Sequence, residues 1–175
     1  MVSDGAQNSG APPEADPMIG TPEEDIDTWD GKQNYDDTCA IRCQEFILEQ
    51  FTGQEVTEDA LIQQAQDNGW YQPGVGTLPQ DVGNLLEANG VPATQYENAT
   101  PHDLANELAQ GHKVVIGIDS GELLSEENPI MEDLASMAPV DGADHAVVVS
   151  GIDTTDPDNP QVIISDPGTG EAAAH

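Results

Sequence analysis

The chain has 175 residues, enough for one domain with a sizeable core, and sets 34 acidic residues against only Lys32, Arg42 and Lys113, a formal net charge of −31. So negative a chain repels phosphate backbones and anionic lipid, which excludes nucleic-acid and membrane-surface binding. No run of about 20 apolar residues is present to span a bilayer.

Residues 1–30 read as an acidic disordered tail. They hold eight acids (Asp4, Glu14, Asp16, Glu23, Glu24, Asp25, Asp27 and Asp30), no Lys or Arg, and few large apolar residues to offset the entropy of ordering. Met18, Ile19, Ile26 and Trp29 are the residues able to dock late in that segment. The opening MVSDGAQNSG has neither the basic start nor the apolar stretch of a secretion signal. A soluble protein is expected, cytoplasmic or exported with its signal removed.

Residues 31–175 read as one domain. A helix is expected over 38–51, with Asp37 or Thr38 as N-cap and Ala40, Cys43, Phe46, Ile47 and Phe51 as its apolar stripe. A second spans 58–68, capped by Thr57, with Leu61, Ile62 and Ala65 inward and Gly69 at its end. TLPQ opens a third: Thr77 and Gln80 have capping-box spacing, Val82, Leu85 and Leu86 form the face, and Gly90 ends it. TPHD opens a fourth, with Thr100 as cap, Pro101 in the first position, Leu104 and Leu108 inward, and Gly111 beyond.

After Gly111 the period changes. KVVIGI (113–118), HAVVVSGI (145–152) and QVIIS (161–165) are β-branched runs bounded by Gly, Asp and Pro. The polar connection DTTDPDNP suits antiparallel pairing of the last two. Residues 119–144 form a long acidic loop, and a loop of that length in a compact domain is often functional. Helices first and strands second imply an α+β fold, an N-terminal helical half packed on a C-terminal antiparallel sheet.

The two cysteines lie one helical turn apart, a spacing that suits neither an intrahelical disulfide nor, alone, a metal site. Cys39 falls at a helix start, where unpaired N–H groups and the helix dipole favour a thiolate. Cys43 lies one turn deeper, on the apolar stripe, and reads as core. Of four histidines, His145 directly precedes the most apolar strand, a rigid place from which to aim an imidazole at a thiol. If the two strands at 145–152 and 161–165 form a hairpin, Asp166 at the end of the second returns to His145, and the following Pro-Gly fixes a turn there. Gln33, six residues before Cys39, brings a side-chain amide into the loop leading to the helix; with the Cys39 backbone N–H it makes two donors for an oxyanion. Metal chemistry is a poor match: no cluster has ligand spacing, and DTTDPDN lacks the Gly and distal Glu of a calcium loop.

Gln33, DDTCA opening a helix, DHAVVVSGID and VIISDPGTG together resemble the papain-like cysteine peptidases of the bacteriocin-leader-processing (double-glycine) type, above all stand-alone relatives outside transporters. TEDALIQQAQDNGW, GTLPQDVGNLLEANGV and LANELAQGHKVVIGID extend the resemblance over about 33–170. It implies a papain-like fold, Cys39 as nucleophile, His145 as general base, Asp166 as its orienting residue and Gln33 as oxyanion donor. It also implies a monomeric bacterial enzyme that needs no cofactor and acts on a peptide or protein. Two features depart from the pattern: Thr38-Cys39-Ala40 replaces the usual Asp-Cys-Gly, and the sequence ends soon after DPGTG, as in a shortened domain. The alternative is an inactive peptide- or leader-binding module of the same fold. Two explanations fit the acidity, adaptation to high salt, where ions screen self-repulsion, or an acidic exported protein.

Overall fold

The computed structural model describes residues 18–29, 31–96, 99–118 and 145–174. In chain order the elements are β1 (Met18–Gly20), α1 (Pro22–Thr28), α2 (Cys39–Thr52), α3 (Glu58–Asn68), a 3-10 turn (Pro79–Asp81), α4 (Asn84–Ala88), α5 (Pro101–Ala109), β2 (Val114–Ile118), β3 (His145–Asp153), β4 (Gln161–Ser165) and β5 (Ala172–Ala174).

The most apolar stretch of the sequence, β3, is the central strand. One of its edges pairs with β4, which pairs in turn with β5; the other edge takes β2 along its first half and β1 along its last three residues, all antiparallel. Side chains alternate across a strand. Ala146 and Val148 therefore face a core built with α2, α3 and α4, while Val147 and Val149 face a second core built with Leu104 and Leu108 of α5. Both faces are covered, which explains why β3 reads as a continuous apolar run rather than an alternating one.

Helix α2 is buried on every side from Ala40 to Leu48. Its polar residues are accordingly bonded: the Gln44 side chain accepts the Gly83 N–H at 3.0 Å and donates to the Ala40 carbonyl at 3.1 Å, and Arg42 pairs with Glu45 at 2.7 Å. Trp29 stands edge-on to Phe46, ring centroids 4.9 Å apart.

Four expectations are corrected. The tail does not extend to residue 30: Met18–Gly20 and Pro22–Thr28 belong to the fold, and Asp25 is fully buried against Lys113 at 2.5 Å. The Thr77–Gln80 capping box does not form. Gly83, at φ +100°, splits the expected helix into the 3-10 turn and α4, and its N–H is spent on Gln44. Thr38 occupies the N-cap of α2 but makes no side-chain cap there, its hydroxyl being directed to Tyr35 and Glu58. Phe51, assigned to the stripe, is 55% exposed, because the last turn of α2 runs past the elements that cover its earlier turns. Two strands, β1 and β5, are additional to those expected. The loop 119–144 lies outside the described residues.

Candidate functional site

Cys39 is the first residue of α2 and is half-buried. One turn along, the fully buried Cys43 sets its sulfur 3.5 Å from the Ala146 carbonyl. That contact docks the start of α2 onto the start of β3, where His145 precedes Ala146. The Cys39 thiol lies near enough to the His145 imidazole to help raise its pKa.

The hairpin of β3 and β4 brings in Asp166. Val148 pairs with Ser165, so the residue after β4 turns back beside the first residues of β3. Asp166 Oδ1 lies 2.5 Å from His145 Nε2. The same oxygen accepts the Gly168 N–H at 2.7 Å, and Oδ2 accepts the Thr169 hydroxyl at 3.1 Å. Gly170 donates to the Asp166 carbonyl at 2.8 Å and closes the turn. Asp166 is 4% exposed. Burial alone would raise its pKa, but the bonds from His145 and the Gly168 N–H outweigh it and hold the carboxylate below its usual range. An ionised carboxylate only accepts, so Nε2 carries a proton and donates it to Asp166. Burial lowers the pKa of His145, yet the bonds to Asp166 and Cys39 prevail and push it up to about 9. A ring that binds a proton this readily is a strong base for a neighbouring thiol.

Gln33 is buried between the two halves of this arrangement. Its backbone N–H donates to the Pro167 carbonyl at 2.8 Å, inside the Asp166 turn. Its side-chain Nε2 donates to the Tyr35 carbonyl at 2.5 Å, in the loop that leads to Cys39. A primary amide has two N–H groups, so one remains after that bond. The structure thus brings Cys39, His145 and Asp166 together and ties Gln33 both to the Asp166 turn and to the loop that leads to Cys39.

Several residues that hold the site were not singled out by their sequence context. Asp37 was read as a cap; its carboxylate instead receives the Tyr71 hydroxyl at 2.8 Å and the Gly74 N–H at 2.5 Å, tying a later loop to the approach to Cys39. Trp29 donates its indole N–H to the Gly170 carbonyl at 3.2 Å. Gly168 lies under the imidazole: a Cβ there would sit 3.0 Å from His145 Cε1. Among the described residues no group of three or more His, Cys, Asp or Glu side chains is placed to hold a metal ion, and no helix is long and apolar enough to cross a membrane.

Comparison with known proteins gives relatives and a family. The chain is similar to an uncharacterized protein of Mycobacterium bovis and to uncharacterized proteins of two strains of Mycobacterium tuberculosis, each 31% identical over 177 residues that cover 87% of this chain and 72% of the relative. A family model described as Peptidase_C39 like matches residues 26–175, beginning inside α1 and so including part of the segment that the sequence reading had set apart as tail. The fold is accordingly the α+β, papain-like one, and the family suggests a cysteine peptidase. The five helices and antiparallel sheet of the described residues, together with the match along 26–175, identify this chain as a member of the Peptidase_C39 like family.

Proposed function

We propose that the protein is a cysteine peptidase in which Cys39, His145 and Asp166 act as a triad and Gln33 as an oxyanion donor. The observation that supports this reading most is the hydrogen bond from His145 Nε2 to the buried Asp166 Oδ1 next to Cys39, with His145 pushed up to about 9 by both neighbours.

His145 takes the Cys39 proton and becomes an imidazolium beside a thiolate. The thiolate attacks the peptide carbonyl carbon, a C–S bond forms, and the carbonyl oxygen takes the negative charge. The Cys39 N–H and the free N–H of Gln33 Nε2 receive that oxygen. The imidazolium gives its proton to the amine nitrogen, and the C–N bond breaks. Water, deprotonated by His145, then attacks the thioester and releases the acid and the thiol. Asp166 holds the ring beside the sulfur throughout.

A mixed peptide library, incubated with the protein in low and high salt and read by mass spectrometry, tests the proposal. New termini are expected with the wild type and none with Cys39→Ala. Equal cleavage by both forms sinks it. Peptides retained intact and equally by both would make the protein a peptide-binding module instead.

A further inference from the structure

Helix α3 begins with Glu58, a residue only 3% exposed. Its Oε2 accepts the Asn34 N–H at 2.9 Å, and its Oε1 accepts the Thr38 hydroxyl. Asn34 follows Gln33, and Thr38 precedes Cys39. One buried side chain from a different helix therefore grips both ends of the loop between the two oxyanion donors. The same loop is tied within itself, since the Tyr35 carbonyl receives Gln33 Nε2 at 2.5 Å and the Thr38 hydroxyl at 3.1 Å. The next residue of α3, Asp59, accepts the Tyr35 hydroxyl at 2.9 Å.

Burying a carboxylate is costly unless its oxygens are bonded. Glu58 meets that cost by bonding a loop backbone N–H and the residue just before Cys39. An oxyanion site depends on donors fixed before the reaction, and a displacement of about 1 Å can lower the rate on the order of 10²-fold.

We propose that Glu58 is a positioning residue for the reaction at Cys39: it fixes the distance between the Gln33 amide and the Cys39 N–H and so shapes the oxyanion site. This rests on the peptidase reading above. Glu58 touches neither substrate nor sulfur and acts through Asn34 and Thr38.

Two reagents separate the role from general support of the fold. Iodoacetamide alkylates a thiolate by displacing iodide at a saturated carbon, and no oxyanion forms. p-Nitrophenyl acetate acylates it through a tetrahedral oxyanion: a C–S bond forms, p-nitrophenolate leaves, and water then releases acetate. Both rates are measured at Cys39, with Cys39→Ala as the blank. Glu58→Ala is expected to slow acylation about tenfold or more while changing alkylation less than about twofold. Glu58→Gln is expected to recover most of the acylation rate, because its amide still accepts from Asn34 and exchanges donor and acceptor with the Thr38 hydroxyl. Should Glu58→Ala not fold, Thr38→Val removes the same link to Cys39 and is expected to show the same selective loss. Equal loss of both rates, no loss of either, or no recovery with Glu58→Gln overturns the role of Glu58. A wild-type Cys39 that reacts with neither reagent faster than N-acetylcysteine overturns the peptidase reading itself, before any Glu58 variant is measured.

Discussion

The imidazole of His145 rests on Gly168, where a Cβ would come within 3.0 Å of Cε1 and 3.1 Å of Nε2. The β3–β4 register makes this contact, and a Cβ at 168 would press the ring away from its place by a few tenths of an ångström. Gly168→Ala is therefore expected to tilt the ring away from the sulfur and reduce turnover by roughly 10- to 100-fold. Its melting temperature should stay close to that of the wild type. A variant with full turnover contradicts this account of the glycine.

Stability should depend on pH through the same pair. His145 is raised from 6.5 to about 9, so the folded state holds that proton more tightly than the unfolded chain does. The resulting stabilisation is complete below pH 6.5 and is lost as pH rises through about 9. Asp166 works in the opposite direction: held below 3.8, it contributes stability present above that value and lost as pH falls through its lower folded value. Urea midpoints of wild type and His145→Ala are expected to converge between neutrality and pH 9. A gap that stays constant over that window contradicts the raised value.

The two thiols should differ sharply in reactivity. Cys43 is completely buried, and that burial, reinforced by the neighbouring Cys39 and Asp166, pushes its thiol well above the usual range. Cys39 is half-buried at the helix start. Iodoacetamide is expected to label Cys39 alone in the folded protein, with Cys43 modified only after denaturation. Peptide mass spectrometry reads the sites, and comparable labelling of both in the folded state counts against the placement of Cys43.

Lys113 neutralises the fully buried Asp25, and Gln50 Nε2 adds a bond to the same carboxylate oxygen at 2.9 Å. Removing one partner of such a pair leaves an uncompensated buried charge. Lys113→Met is expected to cost about 3–5 kcal/mol in urea denaturation, and Asp25→Asn in the same chain to restore part of it. A loss within experimental error in the single variant would mean that water reaches Asp25.

Salt should stabilise the protein. Of its three Lys and Arg residues, Arg42 and Lys113 are paired internally, with Glu45 and Asp25. Lys32 alone is exposed among them, so the many surface acids have few opposite charges near them. Screening of their repulsion is expected to raise the melting temperature from dilute buffer to molar KCl. An unchanged value argues against adaptation to high salt.

Much of this was legible in the chain because it is local. The β-branched runs marked β2, β3 and β4; N-caps at Thr57 and Thr100 marked α3 and α5, where both side-chain caps form. Cys39, His145 and Asp166 were recognisable from their positions at element ends, and the hairpin did bring Asp166 back to His145. What escaped depends on distant partners. Asp25 counted towards a disordered tail by composition, yet its partner Lys113 lies 88 residues away. Nothing around Glu58 in the sequence marks it out, since its bond to Thr38 spans 20 residues. The TLPQ spacing was a sound local signal that lost to a tertiary one, the Gly83 N–H bonding Gln44 across 39 residues.

Trp29 and Gly170 are joined across 141 residues, and β1 completes its pairing only with the far end of β3. During synthesis, then, Cys39 emerges long before the strands that supply His145 and Asp166. Contacts this distant in sequence form late and slowly. The nascent chain carries Cys39 before His145 exists, and β1 then has no β3 to pair with. Assembly of the β3–β4 hairpin is thus the step at which His145 and Asp166 first meet, well after the helix that begins with Cys39 has been made.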